Sequence, residues 1–147
     1  MRARDGLSAP VRALFMDLVN AGELPQSTGT AHDVQGEAGG IGEGTWVRFS
    51  LQMSDGQVLR ARYRAYGCPY TLATCEWLAR QLVGKALAGG DPAADLTAAV
   101  GIASQWATAL QVPAERLGRL LVVEDALRTA LQAARTALPA AQRRARP

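Results

Sequence analysis

Alternation of apolar and polar side chains is clearest in the middle of the chain. From Thr45 to Met53, Val47, Phe49, Leu51 and Met53 fall on one side and Trp46, Arg48, Ser50 and Gln52 on the other. That is the period of two expected of a half-buried β-strand. Asp55-Gly56 follows, a dipeptide suited to the two positive-φ positions of a tight hairpin turn. The returning segment, Val58 to Tyr66, sets Ala61, Tyr63 and Ala65 against Arg60, Arg62 and Arg64. Together these predict an antiparallel hairpin with one face on a core. Residues 22–44, rich in Gly, Ser and Thr, predict a loop or a weak, irregular strand.

Elsewhere the period is helical. Val11, Leu14, Phe15 and Leu18 predict a short amphipathic helix within Leu7–Val19, with Ser8 as N-cap and Pro10 in its first turn. After the hairpin, Pro69 suits the first position of a helix whose inner stripe is Leu72, Cys75, Leu78, Ala79 and Leu82, and Gly84 ends it. A second helix is expected from Pro92 to Leu110 on Leu96, Val100, Ala103, Trp106 and Leu110. Val112-Pro113 opens the last and longest helix, with Leu117, Leu120, Leu121, Leu127, Leu131 and Leu138 on its stripe. Strands followed by a block of helices indicate α+β: a three-stranded antiparallel sheet with the helices packed on one face.

Composition narrows the class. A chain of 147 residues fits one domain, expected over about residues 7–138, with a basic solvated tail at 139–147 carrying Arg143, Arg144 and Arg146. The net charge of +3 is mild and almost all of the positive charge is Arg, which gives little support to nucleic-acid binding. Asp5, Arg12 and Asp17 interrupt the N-terminal region, so no secretory signal is expected, and the longest uncharged run is too polar for a bilayer span. Two cysteines in such a chain read as thiols in a reducing compartment, with the cytoplasm as the expected location.

The order of certain short motifs carries a resemblance. Tyr66-Gly67-Cys68 closes the last strand, Gly84-Lys85 follows the next helix, and Val112-Pro113 precedes Glu124-Asp125-Ala126 in the final one. In this order and spacing the chain resembles the iron-sulfur cluster assembly scaffolds of the IscU type and the N-terminal domain of NifU, over about Leu7 to Leu138. The resemblance implies the α+β fold, iron or an iron-sulfur cluster as cargo, and a cysteine desulfurase and cluster-transfer proteins as partners. It also implies three cysteine ligands, of which this chain keeps only Cys68. The position of the first holds Ile41, in Gly40-Ile41-Gly42-Glu43, and that of the third holds Arg119, after Gly118. The acidic residue that follows the first cysteine in the family is matched by Glu43.

Chemistry then sets the expectations for these positions. A cluster is held mainly by thiolates, and Cys68 alone does not supply them. Cys75 lies about 10 Å farther along the helix axis, too far to join it, and its place on the apolar stripe reads as a buried core thiol. Cys68, where a strand gives way to a helix N-terminus, is favoured as a thiolate able to accept persulfide sulfur; it reads equally as an N-cap position that happens to hold Cys. An ion pair of Glu43 with Arg119 beside Cys68 is expected, against the alternative that both face solvent. Arg60, Arg62 and Arg64 form either a solvated outer face or a docking surface for an acidic partner or nucleic acid. His32 reads as a surface residue, and Trp77 and Trp106 as core or interface residues. The expected function is a non-enzymatic scaffold-like protein of iron-sulfur cluster assembly, acting through partners or sulfur acceptance at Cys68. The alternative is an interaction module that keeps the fold and docks a partner through its Arg face.

Overall fold

In the computed structural model, which describes residues 6–27, 29–87 and 91–136, three strands form one antiparallel sheet in the order β1-β2-β3. They are β1 (His32–Gly40), β2 (Thr45–Ser54) and β3 (Gln57–Tyr66). The β2–β3 hairpin turns on Asp55 and Gly56, at φ 53° and 76°, as the dipeptide demands. Pairing runs from Trp46 opposite Tyr66 to Ser54 opposite Gln57, with a bulge between Gln52 and Met53. Val47, Phe49, Leu51 and Met53 of β2 meet Val58, Ala61 and Tyr63 of β3 on the buried face. This alternation is the one the sequence predicts.

The segment read as a loop or weak strand contains a regular strand. β1 pairs with β2 along its whole length, from His32 opposite Met53 to Gly40 opposite Thr45. Its apolar signal is faint because glycine occupies places where a side chain would not fit. A Cβ at Gly36 would overlap the backbone of Ala126 and Ala130, and one at Gly39 would overlap the Thr45 carbonyl. A helix lies directly on the strand there, and small residues on both sides permit the approach.

That helix is α5 (Leu117–Thr136), the last of five among the described residues, after α1 (Ala9–Phe15), α2 (Pro69–Leu82), α3 (Pro92–Val100) and α4 (Ala103–Leu110). α5 covers β1 and β2, α2 covers β3, and α1, α3 and α4 pack around these two. The core is the inner sheet face with Ala73, Leu78, Leu82, Leu120, Val123, Leu127 and the buried Trp106. Trp77 is half-buried, and of the expected α5 stripe Leu121 is exposed, while Leu138 and the basic tail lie outside the described residues.

Three element boundaries differ from expectation. The helix expected from Pro92 to Leu110 is two, broken at Gly101, whose φ of 88° and ψ of −158° suit only glycine. The break is held by the Gln105 side chain accepting from the Ile102 N–H and by the Trp106 indole donating to the Val100 carbonyl. α5 begins at Leu117, since Pro113 leads into a 3-10 turn at Ala114–Arg116. α1 stops at Phe15, short of Val19, although Ser8 caps it and accepts from the Val11 N–H.

Glu76 in α2 is fully buried, an unusual place for a carboxylate. It is satisfied on both oxygens: Oε1 accepts from the Asn20 N–H and the Tyr63 hydroxyl, and Oε2 from the Asn20 side chain and the Arg80 guanidinium. Asn20 is thereby fixed beside β3, where the Tyr63 N–H donates to the Asn20 carbonyl and the Gly22 N–H to the Tyr63 carbonyl. Burial, reinforced by the Glu76 charge, pushes the Tyr63 phenol far above its ordinary range. One acid thus ties the segment after α1, strand β3 and helix α2 together.

Three substitutions test this architecture. Gly36→Ala is expected to destabilise the fold by about 2–3 kcal/mol through overpacking, while Gly42→Ala, with open space around it, stays within about 0.5 kcal/mol of wild type in urea denaturation. Glu76→Gln, which removes a buried charge from its four donors, is expected to cost about 3 kcal/mol. Equal denaturation midpoints for Gly36→Ala and Gly42→Ala, or an unshifted Glu76→Gln, would contradict these assignments.

Candidate functional site

The strand order brings the expected site residues to one end of the sheet. Trp46 pairs with Tyr66, so Thr45 at the start of β2 lies beside the point where β3 passes through Gly67 into Cys68. Gly40 pairs with Thr45, which sets the Ile41–Glu43 turn at that same end. The N-terminal half of α5 completes it: the Arg119 guanidinium donates to the Thr45 hydroxyl at 3.2 Å. Cys68, Thr45 and Arg119 thus gather from three elements far apart in sequence.

Cys68 is half-buried and takes the N-cap position of α2, ahead of Pro69. Its sulfur lies 3.7 Å from the Thr71 hydroxyl. Burial works against the thiolate but is outweighed by the Thr71 N–H and hydroxyl, the Tyr70 N–H and the positive charge of Arg119, so the thiol sits below its ordinary range. Arg116 stacks over the neighbouring Tyr70, 5.9 Å from the centre of its ring. Cys75 is the opposite case. It is fully buried, and burial together with the adjacent Glu76 charge pushes its thiol well up.

The expected Glu43–Arg119 ion pair does not form. Arg119 has no carboxylate within salt-bridge reach among the described residues; it uses Thr45 instead, and Glu43 is exposed with its carboxyl folded toward Gly40. Ile41–Glu43 is a 3-10 turn closed by Gly44 at φ 86°, and Glu43 at its end is exposed. Ile41, at the position that the resemblance assigns to a ligand, is 63% exposed, an apolar side chain standing in solvent. The donor set at this end is therefore one thiol, two hydroxyls and an unneutralised guanidinium, which does not suit iron or a cluster. Among the described residues no group of three His, Cys, Asp or Glu could hold a metal ion, and His32 begins β1 at the other end of the sheet.

The arginine face is solvated in part: Arg60 and Arg64 are exposed, whereas Arg62 is half-buried. Arg62 donates to the Asn20 side chain and the Ala61 carbonyl, and Arg64 pairs with Glu23 at 2.9 Å. Gln52, on the same face, is buried and donates to the Pro25 carbonyl, so the segment from Asn20 to Pro25 covers part of the sheet. Arg60 remains exposed. Thr45 and Thr71 are site residues that sequence reasoning missed. Thr71 was findable, since a hydroxyl three residues after an N-cap sits over the cap side chain.

Comparison with known proteins agrees with this fold. Residues 11–137 match the family described as NifU-like N terminal domain. No curated protein matches the chain. A protein from the thermophile Fervidobacterium islandicum AW-1, assigned as an iron-sulfur cluster assembly scaffold protein for the SUF system, superposes with a TM-score of 0.60 at 15% identity, over 84% of this chain and 95% of its own. The N-terminal part of a nitrogen-fixing NifU-like protein from Brucella abortus gives a TM-score of 0.60 at 13% identity, covering 89% and 95%. At such identities these likenesses speak for the fold.

Alkylation separates the two thiols. In the folded chain Cys68 is expected to react with iodoacetamide with a midpoint below that of an ordinary thiol, and Cys75 to react only on unfolding. Arg119→Gln removes a charge that favours the anion and is expected to move the Cys68 midpoint upward, read from rate against pH. An unchanged midpoint would show that Arg119 does not act on the thiol.

Proposed function

The chain belongs to the NifU-like N-terminal domain family, and on that premise we propose that it serves iron-sulfur cluster assembly as a non-catalytic protein that accepts sulfur at Cys68. The single observation that carries this reading is the placement of Cys68 at the opening of α2, half-buried, with Thr71 and Arg119 favouring its anion. The partners would be a cysteine desulfurase as donor and a cluster-assembling or transfer protein as acceptor, and the setting would be the cytoplasm. No helix among the described residues is long and apolar enough to cross a membrane.

The step is a sulfane-sulfur transfer. The Cys68 thiolate attacks the terminal sulfur of the donor persulfide; a new S–S bond forms at Cys68, the donor's S–S bond breaks, and its thiolate leaves with the electron pair. No net oxidation occurs, so no further oxidant is called for. The chain contributes an available anion, orientation by the helix N-terminus, and partial burial that limits hydrolytic and oxidative loss of the persulfide. Because Cys75 is fully buried, it takes no part.

The Arg face supports a separate docking function less well, because Arg62 and Arg64 are already engaged within the chain. Incubation with a desulfurase charged with radiolabelled cysteine tests the leading reading. Label is expected on wild type in a form released by reductant, and is expected to fall to background in Cys68→Ser. Equal labelling of the two, or none on folded wild type, would refute sulfur acceptance at Cys68.

A further inference from the structure

Arg119 occupies the position where the family resemblance places a cluster ligand, and the structure shows what holds it there. Its guanidinium donates to the hydroxyl of Thr45, a buried residue at the first position of β2, and α5 is fixed against β1 by the Gly36 contact described above. Arg80, Arg48, Arg64 and Arg128 are each neutralised by a carboxylate. Arg119 has none within reach among the described residues, and Glu43, in the turn between β1 and β2, is exposed and forms no ion pair with it. The cation is therefore oriented by Thr45 and uncompensated, and its charge acts on the Cys68 thiol.

We infer that Arg119, pinned by Thr45, is the specificity-determining residue of this end of the sheet, excluding iron and iron-sulfur cargo from Cys68 while leaving the thiol open to anionic sulfur. The inference deepens the sulfur-acceptor reading and rests on it for the identity of what is admitted. The physics is that of like charges. A divalent metal brought to the Cys68 sulfur must lie close to a guanidinium that cannot deprotonate, in a partly buried place where solvent screens the repulsion less than in water. A persulfide anion at the same sulfur gains from the same charge. The exposed Ile41 removes the second thiolate that would otherwise offset the repulsion.

Cobalt(II) is a suitable probe, because thiolate-to-cobalt absorption reports ligation directly, and neither desulfurase nor persulfide is involved. This test can thus fail while sulfur transfer to Cys68 stands, and the reverse. Wild type is expected to show no thiolate-to-cobalt band above that of Cys68→Ser. Ile41→Cys supplies a second thiol on the facing turn with Arg119 in place and is expected to bind weakly. Adding Arg119→Gln, which keeps a hydrogen-bond donor for Thr45 but no charge, is expected to tighten cobalt binding at least tenfold. Adding Arg119→Lys, which keeps the charge, is expected to leave binding as weak as in Ile41→Cys alone. Adding Arg119→Cys, which supplies a third thiol, is expected to bind tightest. Circular dichroism and the denaturation midpoint confirm folding of each variant, and the Gln and Cys variants serve independently if one does not fold. A Cys68-dependent cobalt band in wild type would overturn the inference. So would folded double variants in which Gln and Lys bind alike and Cys binds no tighter than Ile41→Cys.

Discussion

Helix α5 can stand where it does only because β1 offers it no side chain at Gly36, where the helix backbone at Ala126 and Ala130 takes the space of a Cβ. The rest of the site follows from that close approach. With the helix this near, its first turns overhang the end of the sheet, Val122 sits against Gly39, and Arg119 reaches Thr45. A larger residue at Gly36 would lift α5 away and carry the guanidinium off the Cys68 end with it. The geometry of a charge is in this sense set by the absence of a methyl group on the neighbouring strand.

A second constraint works from the other side. Cys68 is where it is because α2 is fixed against β3, and the buried Glu76 is the polar part of that attachment. A carboxylate without water is costly unless each oxygen is paired, and here four donors from three elements meet it. The arrangement also orders the segment from Asp17 to Pro25, since Arg80 donates to the Asp17 carbonyl and Glu23 holds Arg64. Apolar contacts make α2 and α5 stable on the sheet; Gly36 and Glu76 decide their placement.

Much of this was legible in the sequence wherever side chains carry the signal. The β2–β3 hairpin, its Asp55-Gly56 turn, the start of α2 at Pro69 and the burial of Cys75 all follow from alternation, turn chemistry or helical period. β1 was hard to read because the glycines that let α5 approach also erase the alternation. The break at Gly101 was hidden by Trp106 and Leu110, which keep the apolar spacing across it. Glu76 with Arg80 reads as an ordinary surface pair four residues apart, and nothing local reveals that Asn20 and Tyr63 will enclose it. At the site the positions of Cys68, Ile41 and Arg119 came from the family pattern, but the pairing of Arg119 did not. Charge matching favoured Glu43; the guanidinium donates to Thr45 instead.

At this end of the sheet stands a thiol with its anion favoured and a cation held by Thr45. The family contributes the frame, and in the reading proposed above Arg119 changes the sign of the charge that the frame welcomes. Native mass spectrometry of the chain after anaerobic incubation with a desulfurase, cysteine and ferrous iron tests this most directly. The account predicts a gain of sulfur on Cys68 and no iron. A population that carries iron together with sulfide, and loses both on Cys68→Ser, would contradict it.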